Sequence, residues 1–145
     1  MSKTAYIGII FVSILTSQEF VVQPYLQSPT WSSMHILWET NSGSESRVEW
    51  GTWLTLGEVT TGTSITSYGS NKLHTVELTG LYTSTRYYYR VITGNLTSDI
   101  YDFIMPSDPM EEGSFKIVAM SDMQQDGANP NKFEEIVHDG IITYI

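Results

Sequence analysis

Between residues 20 and 105, apolar and aromatic side chains come in short runs rich in Val, Ile, Thr, Tyr and Trp, separated by clusters of Gly, Ser, Asn and Thr. Such punctuation is that of strands joined by turns. About seven strands are predicted: Phe20–Gln27, Ser33–Thr40, Ser46–Trp53, Gly57–Thr61, Lys72–Leu78, Thr85–Thr93 and Ile100–Ile104. In the second, Met34, Ile36 and Trp38 share one face and His35, Leu37 and Glu39 the other; in the sixth, Tyr87, Tyr89 and Val91 oppose Arg86, Tyr88 and Arg90. A period of two with one apolar side suits a sheet that buries one face, with Trp38 in the core between two sheets.

The pattern changes after this region. The stretch from Pro106 to Ser114 carries two prolines and three acids without apolar periodicity, and reads as a linker over 107–114. Phe115-Lys116-Ile117-Val118-Ala119-Met120 is then a nearly continuous apolar run, as expected of a strand buried on both faces, with Asp122 just past its end. Gln124 to Gly127 form a polar loop. Asn129 is a good N-cap and Pro130 suits the first helical position, while Phe133, Ile136, Val137, Gly140, Ile141 and Tyr144 fall on one helical face. A strand leading through a loop into a helix is where α/β proteins hold ligands, beyond the carboxyl ends of the strands.

At the other end, Lys3 precedes an apolar stretch from Ala5 to Leu15 that breaks into Thr16-Ser17-Gln18-Glu19. Residues 1–18 read as a secretory signal peptide, with an uncleaved anchor or a buried strand as the alternatives; the stretch is too short for a stable membrane span. A secreted, periplasmic or cell-surface location follows from that reading. Seven Lys and Arg against sixteen Asp and Glu make the net charge −9, which disfavours nucleic acid as a partner. The absence of Cys excludes disulfides, thiol catalysis and Cys-bound zinc.

Particular residues carry a family resemblance. Leu81-Tyr82-Thr83-Ser84-Thr85-Arg86-Tyr87-Tyr88-Tyr89-Arg90-Val91 resembles the fibronectin type III pattern Leu-x-Pro-x-Thr-x-Tyr-x-Tyr-x-Val, with Thr83 at the proline position and Tyr87 at the tyrosine corner. Gln23-Pro24-Tyr25-Leu26-Gln27, Trp38-Glu39-Thr40 and Val48-Glu49-Trp50-Gly51 together resemble the N-terminal domain of purple acid phosphatases, where the last motif more often reads Val-x-Tyr-Gly. Val118-Ala119-Met120-Ser121-Asp122-Met123-Gln124 is similar to the opening motif of calcineurin-like metallophosphoesterases. The resemblance implies an all-β fibronectin type III or immunoglobulin-like sandwich over 19–106, followed over 115–145 by the truncated first strand-loop-helix unit of an α/β metallophosphoesterase domain.

It also implies an activity. Asp122 is expected to be a ligand of the first metal in a two-metal site (Fe, Zn or Mn) that hydrolyses a phosphate ester. Gln124, where many relatives have His, is expected to contact a metal ligand or the substrate. The family's later Gly-Asp, Gly-Asn-His and histidine motifs do not occur in this sequence, so the chain reads as the N-terminal part of an enzyme and is expected to be inactive alone. From the residues alone, an Asp such as Asp122 at a strand end more often caps a turn or stays solvated than binds a metal. His35 and His74 read as solvated or sheet-surface histidines, and Asp108, Glu111 and Glu112 as linker acids. Asn95-Leu96-Thr97 is a glycosylation sequon. Trp50, Trp53, Tyr82 and Tyr88 either stack on carbohydrate or pack in core and edge positions. The competing functional class is a non-catalytic extracellular adhesion or carbohydrate-binding module.

Overall fold

Alternation along the strands decides the architecture. The computed structural model describes residues 17–108, 110–112, 127–128 and 130–137. Nine strands are described: β1 (Phe20–Gln27), β2 (Ser33–Thr40), β3 (Arg47–Gly51), β4 (Glu58–Thr61), β5 (Thr63–Thr66), β6 (Lys72–Thr79), β7 (Arg86–Thr93), β8 (Leu96–Thr97) and β9 (Tyr101–Ile104). They form two antiparallel sheets. One runs β1-β2-β6-β5, and the other runs β4-β3-β7-β8 with β9 also paired to β7.

The inner faces supply the core. Met34, Ile36 and Trp38 from β2 and Val76 and Leu78 from β6 join Val48 from β3 and Tyr87, Tyr89 and Val91 from β7, with Leu81, Phe103 and Met105 completing the cluster. Trp38 has no exposed surface, and its indole N–H donates to the Thr93 hydroxyl at 2.9 Å, tying one sheet to the other. A buried indole needs such a partner, because its N–H would otherwise lose its hydrogen bond to water. Burial and two neighbouring acidic groups, the Tyr101 phenol and the Asp102 carboxylate, push the Tyr89 phenol up to about 12, so it stays neutral.

The Tyr87 hydroxyl lies at the turn entering β7 and accepts the Tyr82 N–H at 3.0 Å. The ring is buried and stacks against Phe103 with centroids 5.7 Å apart. This corner is a hallmark of immunoglobulin-like sandwiches. Around it, Leu81 N–H donates to Ser32 O and Met105 N–H to Thr85 O, which closes the end of the sandwich around the β6–β7 turn.

Two strands have no counterpart among the seven read from the sequence. β5 is polar and exposed, with Ile65 64% accessible, and offers no apolar alternation to read. β8 has only two residues, opposite Ile92 and Thr93, while β9 pairs with the other half of β7 from Arg86 to Tyr89. Between them Ser98 bridges the break: its N–H donates to Val91 O, and its hydroxyl accepts the Val91 N–H. A side chain replaces a backbone acceptor there, so the ladder continues across the irregularity.

His74 corrects an expectation. It is neither solvated nor on the sheet surface; it is fully buried, stacked on Trp38 with centroids 4.9 Å apart and planes 8° from parallel. Its Nε2 lies 2.8 Å from Thr40 Oγ1 and its Nδ1 2.9 Å from Ser46 Oγ. His35 is half-buried, with Nε2 4.0 Å from a Glu77 carboxylate oxygen.

The chain divides into two units, Met1–Pro109 and Met110–Ile145. In the second, one short helix is described, α1 (Lys132–Glu135). It starts two residues after the predicted first position at Pro130, and Ile136 beyond it is 37% exposed. The predicted signal segment is outside the described residues apart from Ser17 and Gln18, and so are the apolar strand 115–120 and Asn129. Among the described residues, no helix is long and apolar enough to cross a membrane.

Candidate functional site

Trp50 lies on the inner face of β3, two residues after the buried Val48. At this end the two sheets leave the ring partly uncovered. It packs against the core and against Tyr87 at 5.7 Å, and its indole N–H donates to Thr60 Oγ1 at 2.9 Å on the neighbouring strand β4. Trp50 therefore forms a fixed floor.

The turn from 52 to 57 rises beside it. Leu56 N–H donates to Trp53 O at 2.9 Å, and Leu56 adopts a left-handed backbone with φ 56°, a conformation disfavoured for a bulky residue. Gly51 allows the turn to fold back, because a Cβ there would stand 3.1 Å from the Leu56 carbonyl carbon. The consequence is that Trp53, 75% exposed, lines a cleft that Tyr82, 77% exposed, also lines.

The cleft measures ≈ 310 Å³. Three glycines, Gly51, Gly57 and Gly80, help line it, and at Gly57 and Gly80 no heavy atom lies within 4 Å of where a Cβ would stand. Glu58, paired with Trp50 across the strands, contributes the one charged side chain of the lining. Its carboxylate is exposed and makes no hydrogen bond or ion pair among the described residues. Of the four aromatics singled out from the sequence, Trp50, Trp53 and Tyr82 meet here. Tyr88 does not: it alternates with Tyr87 and Tyr89 on β7 and lies on the other face of the sheet.

That outer face is charged and internally satisfied. Glu49 accepts hydrogen bonds from Arg47 at 3.0 Å and from Arg90 at 2.7 Å; Glu45 accepts from Arg47 at 3.1 Å and from Gly94 N–H at 2.8 Å. Arg86 pairs with Asp102. All three arginines of the chain thus already have carboxylate partners, and no guanidinium of the sandwich is free to hold a phosphate. Asp122 and Gln124 lie outside the described residues. Among the described residues, no group of three or more His, Asp or Glu side chains is placed to hold a metal ion.

The family match agrees with this architecture. The family model described as "Purple acid Phosphatase, N-terminal domain" matches residues 21–105, more than half of the chain. No curated protein matches. Among solved structures, the sensor domain of the anti-sigma factor RsgI4 of Pseudobacteroides cellulosolvens is similar in a longer version, with 18% identity, TM-score 0.49, and 70% of this chain and 100% of that chain covered. Its solution structure is similar with 12% identity and TM-score 0.47, over 78% of this chain and 98% of that one.

Proposed function

Because the chain belongs to the family of purple acid phosphatase N-terminal domains, we propose that its sandwich introduces a secreted, metal-dependent phosphoesterase that hydrolyses phosphate esters. The observation that carries this reading is the family match over the whole sandwich, followed after a short linker by Val118-Ala119-Met120-Ser121-Asp122. Asp122 is the proposed ligand of the first of two metal ions, and Gln124 a neighbouring contact to a ligand or to substrate. The described residues offer no metal cradle of their own, so the metal role is assigned to Asp122 and to no residue of the sandwich. Bound ions of this kind acidify water and neutralise phosphate oxygens.

The sandwich has a different part in this reading. With its arginines paired and a net charge of −9 on the chain, it does not gather phosphate; it supports or extends the enzyme. The test is Asp122→Asn in the full-length protein. Hydrolysis of p-nitrophenyl phosphate should fall by roughly 100-fold or more, with loss of bound metal by elemental analysis. Undiminished turnover and metal content would remove Asp122 from the site.

A further inference from the structure

The aromatic cleft at the end of the sandwich contains none of the residues assigned above to phosphate-ester hydrolysis, and its construction points to a ligand of another kind. Two aromatic rings that are each about three-quarters exposed flank one concavity, although exposed aromatics generally lose free energy to hydration. The turn that presents Trp53 is held in a left-handed conformation at Leu56, and such outliers concentrate where a surface is shaped for a ligand. Glycines rather than side chains form part of the wall, which brings backbone N–H and C=O groups within reach of anything seated there.

From this arrangement we propose that Trp53, Tyr82 and Glu58 form a binding site for one or two residues of a neutral polysaccharide. The chemistry of the lining selects that class. A pyranose ring offers an apolar C–H face that stacks on Trp53 or Tyr82 and a hydroxyl rim that donates to the Glu58 carboxylate and to exposed backbone carbonyls. Anionic ligands are repelled: the only charge in the lining is negative, and no cation is present to offset it. The cleft is at the small end of ligand-sized pockets, which run from about 300 to 1,000 Å³, so it takes a short stretch of a chain rather than a long one. None of these residues is shared with the proposed metal site, so the two readings stand or fall separately. In this arrangement the sandwich would hold the enzyme on a glycan matrix.

The test is affinity electrophoresis of the full-length protein through gels containing soluble β-glucan, xylan or mannan, followed by calorimetry with oligosaccharides of whichever polymer retards it. Retardation in at least one gel is expected. Trp53→Ala and Tyr82→Ala should each weaken binding by about tenfold, as expected when an aromatic face is lost. Tyr82→Phe should retain binding within about threefold because the ring persists. Tyr68→Ala removes an even more exposed aromatic that does not line the cleft and should change nothing. Circular dichroism of each variant separates loss of the site from loss of the fold. Absence of retardation in every gel, retardation that survives both alanine substitutions, or preferential binding of a quaternary ammonium probe in the cleft would overturn the proposal.

Discussion

Protonation is unfavourable at His74 because both ring nitrogens already have partners. The Thr40 hydroxyl donates to Ser42 O at 2.9 Å, so it accepts from His74 Nε2–H, and Nδ1 accepts in turn from Ser46. The ring is thereby held as the neutral Nε2–H tautomer. Burial, with Lys72 adding repulsion, holds its pKa below the ordinary 6.5. In the unfolded chain the same imidazole takes up its proton near 6.5, so the unfolded state binds more protons below that pH and stability falls as the pH drops. Thermal unfolding followed between pH 7.5 and 5 should show this loss, and His74→Gln should remove part of the pH dependence while lowering stability at neutral pH. An unchanged slope in the variant would show that His74 does not titrate on unfolding. The position of His74 is only half legible in the sequence. Its alternation with Val76 and Leu78 on β6 places it on the inner face, but the hydroxyls that make its burial tolerable come from β2 and the turn before β3, residues distant in sequence.

At the scale of elements, the passage from β4 to β5 shows what strand patterning leaves out. The chain leaves one sheet at Thr61 and joins the other at Thr63, with Gly62 between them. Gly62 N–H donates to Ser46 O at 2.8 Å, and the Thr75 carbonyl occupies the space where a Cβ would be. A glycine is required there because another strand's backbone passes so close. Gly62→Ala should force β5 away from β6 and cost about 2–3 kcal/mol, the range of overpacking in a filled interior. Urea unfolding would show a lower midpoint; an unaltered midpoint would mean that the crossing relaxes at little cost. Three of the long strands were legible because each carries enough alternating apolar residues to declare its inner face: β2 has the predicted limits, and β6 and β7 differ by a single residue at one end. β1 also has the predicted limits, but it is mostly exposed and twice irregular in register, so its β-rich composition rather than alternation marks it. β5 and β8 owe their existence to backbone pairing with a neighbour already in place, which leaves little trace in side-chain pattern.

At the scale of the whole molecule, the sandwich pairs an apolar interior with a surface on which the arginines are already committed. The exterior ion pairs joining Arg47, Arg90 and Glu49 are partly exposed and contribute modestly to stability; their larger effect is to leave the sandwich without a free arginine. Because the family's later Gly-Asp, Gly-Asn-His and histidine motifs do not occur in its sequence, the 145-residue chain is expected to show no turnover of p-nitrophenyl phosphate with added Fe, Zn or Mn. Chelator-sensitive hydrolysis by the purified chain would contradict this. The same view explains why the aromatic cleft was visible in the sequence only as four candidates. Trp50 and Trp53 are three residues apart, but Tyr82 comes from the β6–β7 turn, and only closure of the sandwich brings it into the same cleft.

Read alone, the sequence already determined the class of fold, the place of Trp38 in the core and the family, because a period-two pattern records which face of a strand must leave water, and the Leu81–Val91 motif records the corner that joins the sheets. Tertiary structure decided what that pattern does not encode. It placed a histidine among hydroxyls, set a carbonyl against Gly62, and gathered Trp50, Trp53 and Tyr82 along one cleft while sending Tyr88 to the opposite face. The physical reason is that burial is a property of each strand's own periodicity, whereas a site depends on loops whose meeting point is set by how the sheets pack.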